Sequence, residues 1–464
     1  MENVFQCGDA GSGNGGVRMD DYLKSLLEQI RCKKARPAIE QEVRSHIEDQ
    51  AKTNRQNGMD EEEAMSWAVH DMGDPVQAGA QLDRVHRPQM AWDMLIVMAV
   101  ISLISIVIHV VIGMHTDQIG NLSRNAYIVS TIAQTGIGFL LMLVVYRLDY
   151  SNLAKYGKIC AVMFLAVMAL EVFVVGIRIN GRAYFVIGTT QVTLSAIMFL
   201  YVPLFGAVLF GYRGSGLLGI GKILLFMLVP VYLAWRIPSV SFAILLLFIM
   251  AVMLTAAVLK GWFLVPNAGV LAGLWGFLAA APLAAIILGL KFHLFASYQE
   301  ARLQALFRND SGSYSYVTGQ LVKLAKSNHL FGASGETAAG HLPAYNSDYI
   351  LAFVSSYYGI AAAMGICLLL CVIAVKAFRI ALRQGNQLGL MMSFGSGLVF
   401  TVNTVLNIGE NFGILPPTQT FLPFFSHGGT SMAVSYILAG IVLSVYRYKN
   451  ILPASKINCI AEKI

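Results

Sequence analysis

Leu415-Pro416-Pro417-Thr418, followed by Leu422-Pro423-Phe424-Phe425-Ser426-His427-Gly428-Gly429-Thr430-Ser431, separates two apolar runs at 388–411 and 429–447. Prolines, paired glycines and hydroxyls do not continue a helix. At membrane depth, non-helical backbone persists only where it is buried in protein or lines a wet cavity. A site is therefore expected here, with Ser426, His427, Gly428 and Gly429 beside it. The two glycines suit an anion nest and the start of a following helix equally well.

Working outward, the 464 residues are 56% hydrophobic and 13% charged, with a mean hydropathy of +0.63, which excludes an ordinary soluble enzyme. From Trp92 onward the pattern predicts ten apolar spans: 92–113, 126–146, 156–177, 191–211, 217–235, 240–259, 267–291, 348–377, 388–411 and 429–447. Each has the length needed to cross a bilayer as a helix. The expected fold is all-α, a polytopic membrane domain of ten transmembrane helices over residues 91–449.

The formal charge is +7. Arg84, Arg87, Arg147, Lys155, Lys158, Arg213, Lys260, Lys376, Arg379, Arg383, Arg447 and Lys449 fall on one side of these spans, which the positive-inside rule assigns to the cytoplasm. An even number of spans puts both termini there, with 450–464 as a cytoplasmic tail. The opposite side carries one long polar connection, 292–347; a loop of that length is usually functional or disordered. No basic block interleaved with aromatics is present, so nucleic-acid binding is set aside.

Residues 1–18 form a polar, Gly-rich leader expected to be disordered. Residues 19–90 alternate charges with apolar residues at helical period, and breaks at Arg36-Pro37, Asn57-Gly58 and Gly73-Asp74-Pro75 predict about four short helices. This cytoplasmic segment shows no catalytic constellation. About ninety polar or mixed residues precede the first apolar run, so that span is expected to act as an uncleaved anchor. The six cysteines lack CxxC or Cys/His ligand spacing, and neither a disulfide framework nor a zinc site is indicated. Nucleotide-binding, zinc-protease and serine-hydrolase motifs are absent, as is any carboxylate cluster with metal-ligand spacing.

Asp348 stands where the long connection enters the eighth span. An ionisable group at that boundary is a functional candidate, and an acid there with Ser347 equally suits a helix N-terminal cap. Within the spans, Glu171 and Glu410 need partners or water; Glu410 is flanked by Asn407 and Asn411.

The stretch from Leu415 to Ser431 resembles the LP-(V/P)-TG-x-x-LPF-x-S-(Y/H)-GG-(ST)-S signature of the SEDS family (shape, elongation, division and sporulation). Leu342-Pro343-Ala344-Tyr345-Asn346-Ser347-Asp348-Tyr349-Ile350-Leu351-Ala352 is similar to that family's LPE-x-HTDFIFA segment, at the right distance upstream. Tyr298-Gln299 with Arg302-Leu303 resembles its YQ-x-x-RL, Gln320 falls in its GYQ-x-x-QS stretch, and Asn180-Gly181-Arg182 with Gln191 looks like its NGARRW…FQPSE region. Residues 19–90 resemble the "permease prefix" found ahead of some bacterial membrane proteins.

The resemblance implies a peptidoglycan glycosyltransferase of the bacterial plasma membrane that polymerises lipid II, an undecaprenyl diphosphate-linked disaccharide-peptide. It implies Asp348 as the general base towards the acceptor hydroxyl and Arg182 and Arg302 as contacts of the diphosphate. Gln191, Tyr298, Gln299, Gln320, Asn407 and Glu410 would complete the substrate site with Ser426, His427, Gly428 and Gly429. The implied partner is a class B penicillin-binding protein, and membrane lipids surround the spans. A diphosphate leaving group often recruits a divalent cation such as Mg2+, so cation use stays open.

The sequence also departs from the pattern. Ala344 replaces the glutamate of LPE and Ser347 the threonine of HTD; Gln191-Val192-Thr193-Leu194 replaces QPSE, with Ile197 where a lysine is usual; Ile237-Pro238-Ser239 loses the acid of QPDLGTA. A scaffold or regulator that keeps the fold without turnover is therefore the alternative. A lipid-linked precursor transporter would need charged residues along a through-going cavity, and only Glu171 lies clearly mid-span.

Overall fold

The computed structural model describes residues 19–33, 35–114, 118–119, 122–179, 182–187, 190–237, 240–292, 313–334, 342–415, 418 and 420–449. The chain divides into two compact units that meet in sequence between Gln89 and Met90; Tyr448 rejoins the first.

The first unit contains α1 (Met19–Glu28), α2 (Arg36–Gln56), α3 (Glu61–Asp71) and α4 (Pro75–His86). The turn residues act as the sequence implies: the Asp74 side chain accepts from the Val76 amide at 3.1 Å, and Pro75 occupies the first helical position. Tyr22, Leu23, Leu26, Ile39, Val43, Ile47 and Ala68 form its core. Gly79 lets α4 lie close to α1, because a Cβ there would stand 2.6 Å from the Leu26 carbonyl oxygen.

The second unit is a helical bundle. It comprises α5 (Trp92–Met114), α6 (Arg124–Arg147), α7 (Leu153–Leu170), α8 (Leu194–Met198), α9 (Tyr201–Gly211), α10 (Leu217–Arg236), α11 (Val240–Leu259), α12 (Asn267–Lys291), α13 (Ser313–Ser327), α14 (Ile350–Tyr358), α15 (Ile360–Leu382), α16 (Gln387–Asn411) and α17 (Gly429–Arg447). Among the described residues nine helices are long and apolar enough to cross a membrane, and α12, 25 residues long, takes the place of the expected seventh span. The chain is a multi-pass membrane protein.

Three spans differ from expectation. The third stops early: α7 passes into a π-helical turn at Glu171–Val175 and then into β3 (Ile177–Ile179), which pairs antiparallel with β4 (Arg182–Ile187). The fourth begins as β5 (Thr190–Thr193), antiparallel to β4 with Val186 opposite Gln191, before α8. β-branched residues along these strands are as apolar as a helix would be, so hydropathy alone does not separate the two. A shorter ribbon, β1 (Gln118–Ile119) with β2 (Leu122–Ser123), lies between α5 and α6.

The eighth span, read as one run over 348–377, is broken between α14 and α15. Gly359 adopts φ +96° and ψ 165°, and the long connection pairs with the break. Gly332 N–H donates to Tyr358 O, Ser334 N–H to Ser356 O, Ile360 N–H to His329 O and Ala361 N–H to Leu330 O, all within 2.8–3.2 Å. A Cβ at position 359 would meet Leu330 O at 2.6 Å, so only glycine fits without displacement. The connection itself is helical over α13.

Candidate active site

The last two turns of α16 place Asn403, Asn407 and Asn411 four residues apart on one face, with Glu410 beside them. All four are buried. The side chains of Asn407, Glu410 and Asn411 hold two irregular segments, 342–349 and 418–428, while Asn403 Nδ2 donates to Val399 O within the helix. Asn407 Nδ2 donates to Asp348 O at 2.9 Å and to Thr420 O at 3.1 Å. Asn411 Nδ2 donates to Asp348 O at 3.0 Å, and its Oδ1 accepts from Ala352 N–H at 2.9 Å. Ala352 is the third residue of α14, so one of that helix's free amides is capped by an asparagine from another helix. The N-cap of α14 is Tyr349, one residue beyond Asp348. Asp348 therefore sits just outside the helix.

The two segments also bind each other. Ser426 Oγ donates to Ser347 O at 2.8 Å and accepts from Leu422 N–H at 2.7 Å, while His427 N–H donates to Asn346 O at 3.0 Å. Each contains one non-glycine residue at positive φ, Ala344 (54°) and Phe424 (66°), a conformation L residues rarely adopt unless their surroundings impose it. Between the segments lies a cavity of about 120 Å³ walled by Asp348, Ser347, Thr418, Thr420, Ser426 and His427. Its polar lining also includes Gly428, Thr193, Ser195, Ser241, Asn403 and Ser431, and its apolar wall includes Phe199, Phe242, Leu245 and Phe421. Glu410 stands behind, its Oε1 accepting from Thr420 Oγ1 at 2.8 Å and from Thr418 Oγ1. Burial pushes the His427 imidazole down to about 4, so at neutral pH it is an uncharged ring.

Of the residues expected from sequence, Asp348, Ser426, His427 and Gly428 line the cavity, and Asn407 and Glu410 support it. Gly429 opens α17 and Gln320 lies on α13; neither is in the wall. Arg182 and Gln191 occupy β4 and β5; the end of β5 reaches the cavity through Thr193, whose N–H donates to Thr430 Oγ1 at 3.0 Å. Tyr298, Gln299 and Arg302 lie outside the described residues. Sequence reasoning missed Thr193, Ser241, Asn403, Thr418 and Thr420, isolated polar residues in or beside apolar runs. It also missed His109, buried within α5, which its ionisable side chain inside a span would have flagged.

Comparison with known proteins identifies the lineage. The model of the FtsW/RodA/SpoVE cell cycle proteins matches residues 89–451. This chain belongs to the FtsW/RodA/SpoVE family. Within it, the chain is 29% identical over 164 residues to a "Probable peptidoglycan glycosyltransferase FtsW" of Thioalkalivibrio sp. (strain K90mix), covering 33% of this chain and 40% of that protein. It is 23% identical over 318 residues to the protein of the same name from Aliivibrio salmonicida, covering 65% and 75%. The chain thus spans about two fifths of the length of the first curated relatives it matches. Among solved structures, one described as "Structural coordination of polymerization and crosslinking by a peptidoglycan synthase complex" superposes with a TM-score of 0.62 at 21% identity, covering 77% of this chain and 98% of that one. The Thermus thermophilus rod shape determining protein RodA gives 0.54 at 20% identity, covering 78% and 97%. These likenesses establish the bundle as this family's fold.

Proposed function

We propose that this FtsW/RodA/SpoVE protein polymerises lipid II into glycan strands, with Asp348 as the general base. The observation that carries the reading is a buried aspartate outside the helix that follows it, its backbone clamped by Asn407 and Asn411 and its residue in the wall of a polar cavity. A base must be held within reach of the proton it takes, and clamping the residue's own carbonyl provides that rigidity. Asp348 takes the proton of the acceptor sugar hydroxyl, the freed oxygen bonds to the donor anomeric carbon, and the diphosphate leaves with the electron pair. With their hydrogens donated to Glu410, Thr418 and Thr420 present oxygen lone pairs as acceptors for sugar hydroxyls, and His427 contributes an uncharged ring.

On the family resemblance, Arg182 and Arg302 receive the departing diphosphate, since a guanidinium presents a fork of donors to phosphate oxygens. Among the described residues no three His, Cys, Asp or Glu side chains gather as a metal site, and no step is assigned to a cation. On the Lys and Arg distribution, both termini are assigned to the cytoplasm and the segment carrying Asp348 to the extracytoplasmic side of a bacterial plasma membrane. The likeness to a protein solved within a peptidoglycan synthase complex supports a class B penicillin-binding protein as partner.

The test is polymerisation of fluorescent lipid II by the purified chain, alone and with its cognate transpeptidase, with products resolved by length. Glycan strands in either reaction are expected. Absence of product in both would favour the scaffold reading, for which the apolar Ala344, Leu194 and Ile197 at polar family positions are the sequence argument.

A further inference from the structure

Span one carries a polar stripe that the reaction above does not use. Ser102, Ser105 and His109 repeat at three and four residues, so they share one face of α5, and all three are buried. Each bonds to the segment at 424–436. Ser102 Oγ lies 2.6 Å from the Tyr436 hydroxyl, Ser105 Oγ donates to Phe424 O at 2.8 Å, and His109 Nε2 reaches Phe425 O at 2.7 Å. A carbonyl only accepts, so Nε2 bears the ring hydrogen. In the neutral tautomer with the hydrogen on Nε2, Nδ1 accepts from the Tyr127 hydroxyl, 2.7 Å away. The Asn346 and Thr131 side chains are the hydrogen-bonding neighbours of the Tyr127 oxygen. One hydrogen-bonded chain therefore runs from Asn346 through Tyr127 and His109 to Phe425.

Its two ends are the two irregular segments of the site. Asn346 is two residues before Asp348, and Phe425 directly precedes Ser426 and His427. Ser105 and His109 together hold the carbonyls of Phe424 and Phe425, and Phe424 has a φ of 66°, unfavourable for a bulky residue. Such a turn persists only when its neighbours over-determine it. Consecutive carbonyls held from one helix face supply that determination, and His109 contributes the one link that also reaches the opposite segment.

We propose that His109 is a positioning residue for the Asp348 cavity: through Tyr127 and Phe425 it fixes the spacing of the segment bearing Asp348 from that bearing Ser426 and His427. Its kinetic consequence rests on the glycosyltransferase reading; its structural consequence does not.

Hydrogen–deuterium exchange over peptides covering 420–428 and 342–349, measured on the full chain in detergent, reads the structural part. Tyr127→Phe, which removes one hydroxyl and keeps the ring, should speed exchange in both segments by about tenfold. His109→Leu should do so further. His109→Gln, whose amide offers one donor and one acceptor, should restore most of the protection. On lipid II, Tyr127→Phe should lower kcat by about tenfold with KM unchanged, because a slightly misplaced constellation loses rate before it loses binding. Should His109→Leu fail to fold, the Tyr127→Phe and His109→Gln pair decides. Wild-type exchange in Tyr127→Phe, or equal exchange in His109→Gln and His109→Leu, would overturn the proposal. A wild type without turnover would sink the glycosyltransferase reading while the exchange result still decides the role of His109.

Discussion

The seam between α6 and α17 and the clamp at the end of α16 both bring backbone into close contact, by opposite means. At the seam the side chains vanish: Gly138 receives the Tyr436 ring, and a Cβ on Gly440 would stand 2.8 Å from Met142 O. Both partners are helices that satisfy their own backbone, so the only requirement is space, which small residues provide inside membranes. At the clamp the chain is not helical, and its carbonyls and amides must be satisfied from outside. There Asn407, Asn411, Ser426 and His109 take on the hydrogen bonds a helix would have made. At the seam glycine gives packed helices the space they need, and at the clamp asparagine supplies the bonds that irregular backbone lacks; the Asp348 cavity lies at the clamp.

If that contrast is right, the largest loss should come from the clamp. Asn411→Leu keeps volume but strands the Ala352 amide and weakens the hold on Asp348 O; buried unsatisfied groups cost roughly 1–3 kcal/mol each, so about 4 kcal/mol is expected in detergent thermal unfolding. Gly440→Val, which crowds Met142 O and the Val145 side chain at the seam but removes no hydrogen bond, should cost about 2 kcal/mol as over-packing does. A larger loss for Gly440→Val than for Asn411→Leu would invert the comparison.

A smaller effect is expected from acid. The His427 imidazole falls from 6.5 to about 4 on folding, so between those values the unfolded chain binds more protons and stability declines as pH drops. The decline from pH 7 to pH 5.5 should be about 1 kcal/mol, and His427→Asn should flatten it. A pH-independent difference between the two proteins over that window would show that the ring is not held uncharged by burial.

The sequence made the spans legible because runs of about twenty apolar residues have few alternatives in a chain this hydrophobic. It made Asp348, Asn407, Glu410, Ser426 and His427 legible because polar residues among such runs must have partners. The break at Gly359 was hidden inside a continuous apolar run that also contains Gly365, and what distinguishes the two is the backbone of residues 329–334 laid against the first. The strands over 177–193 were hidden because Val, Ile and Phe suit either structure until a pairing partner is known. Thr418 and Thr420 were unreadable as partners of Glu410, since the direction in which a loop hydroxyl points follows from the loop's path. His109 was readable in principle and outweighed by the more conspicuous loop.

In the proposed reaction Asp348 acts as a base rather than as a structural acid. The decisive measurement is the initial rate of lipid II polymerisation by wild type and Asp348→Asn, compared at equal folded concentration. Asparagine is nearly isosteric and caps a helix about as well as aspartate, and the Asn407 and Asn411 bonds go to the residue's carbonyl rather than to its side chain, so folding and thermal stability should be preserved. Loss of the base should slow turnover by roughly a hundredfold or more. A folded Asp348→Asn variant that elongates glycan at close to the wild-type rate would contradict the account.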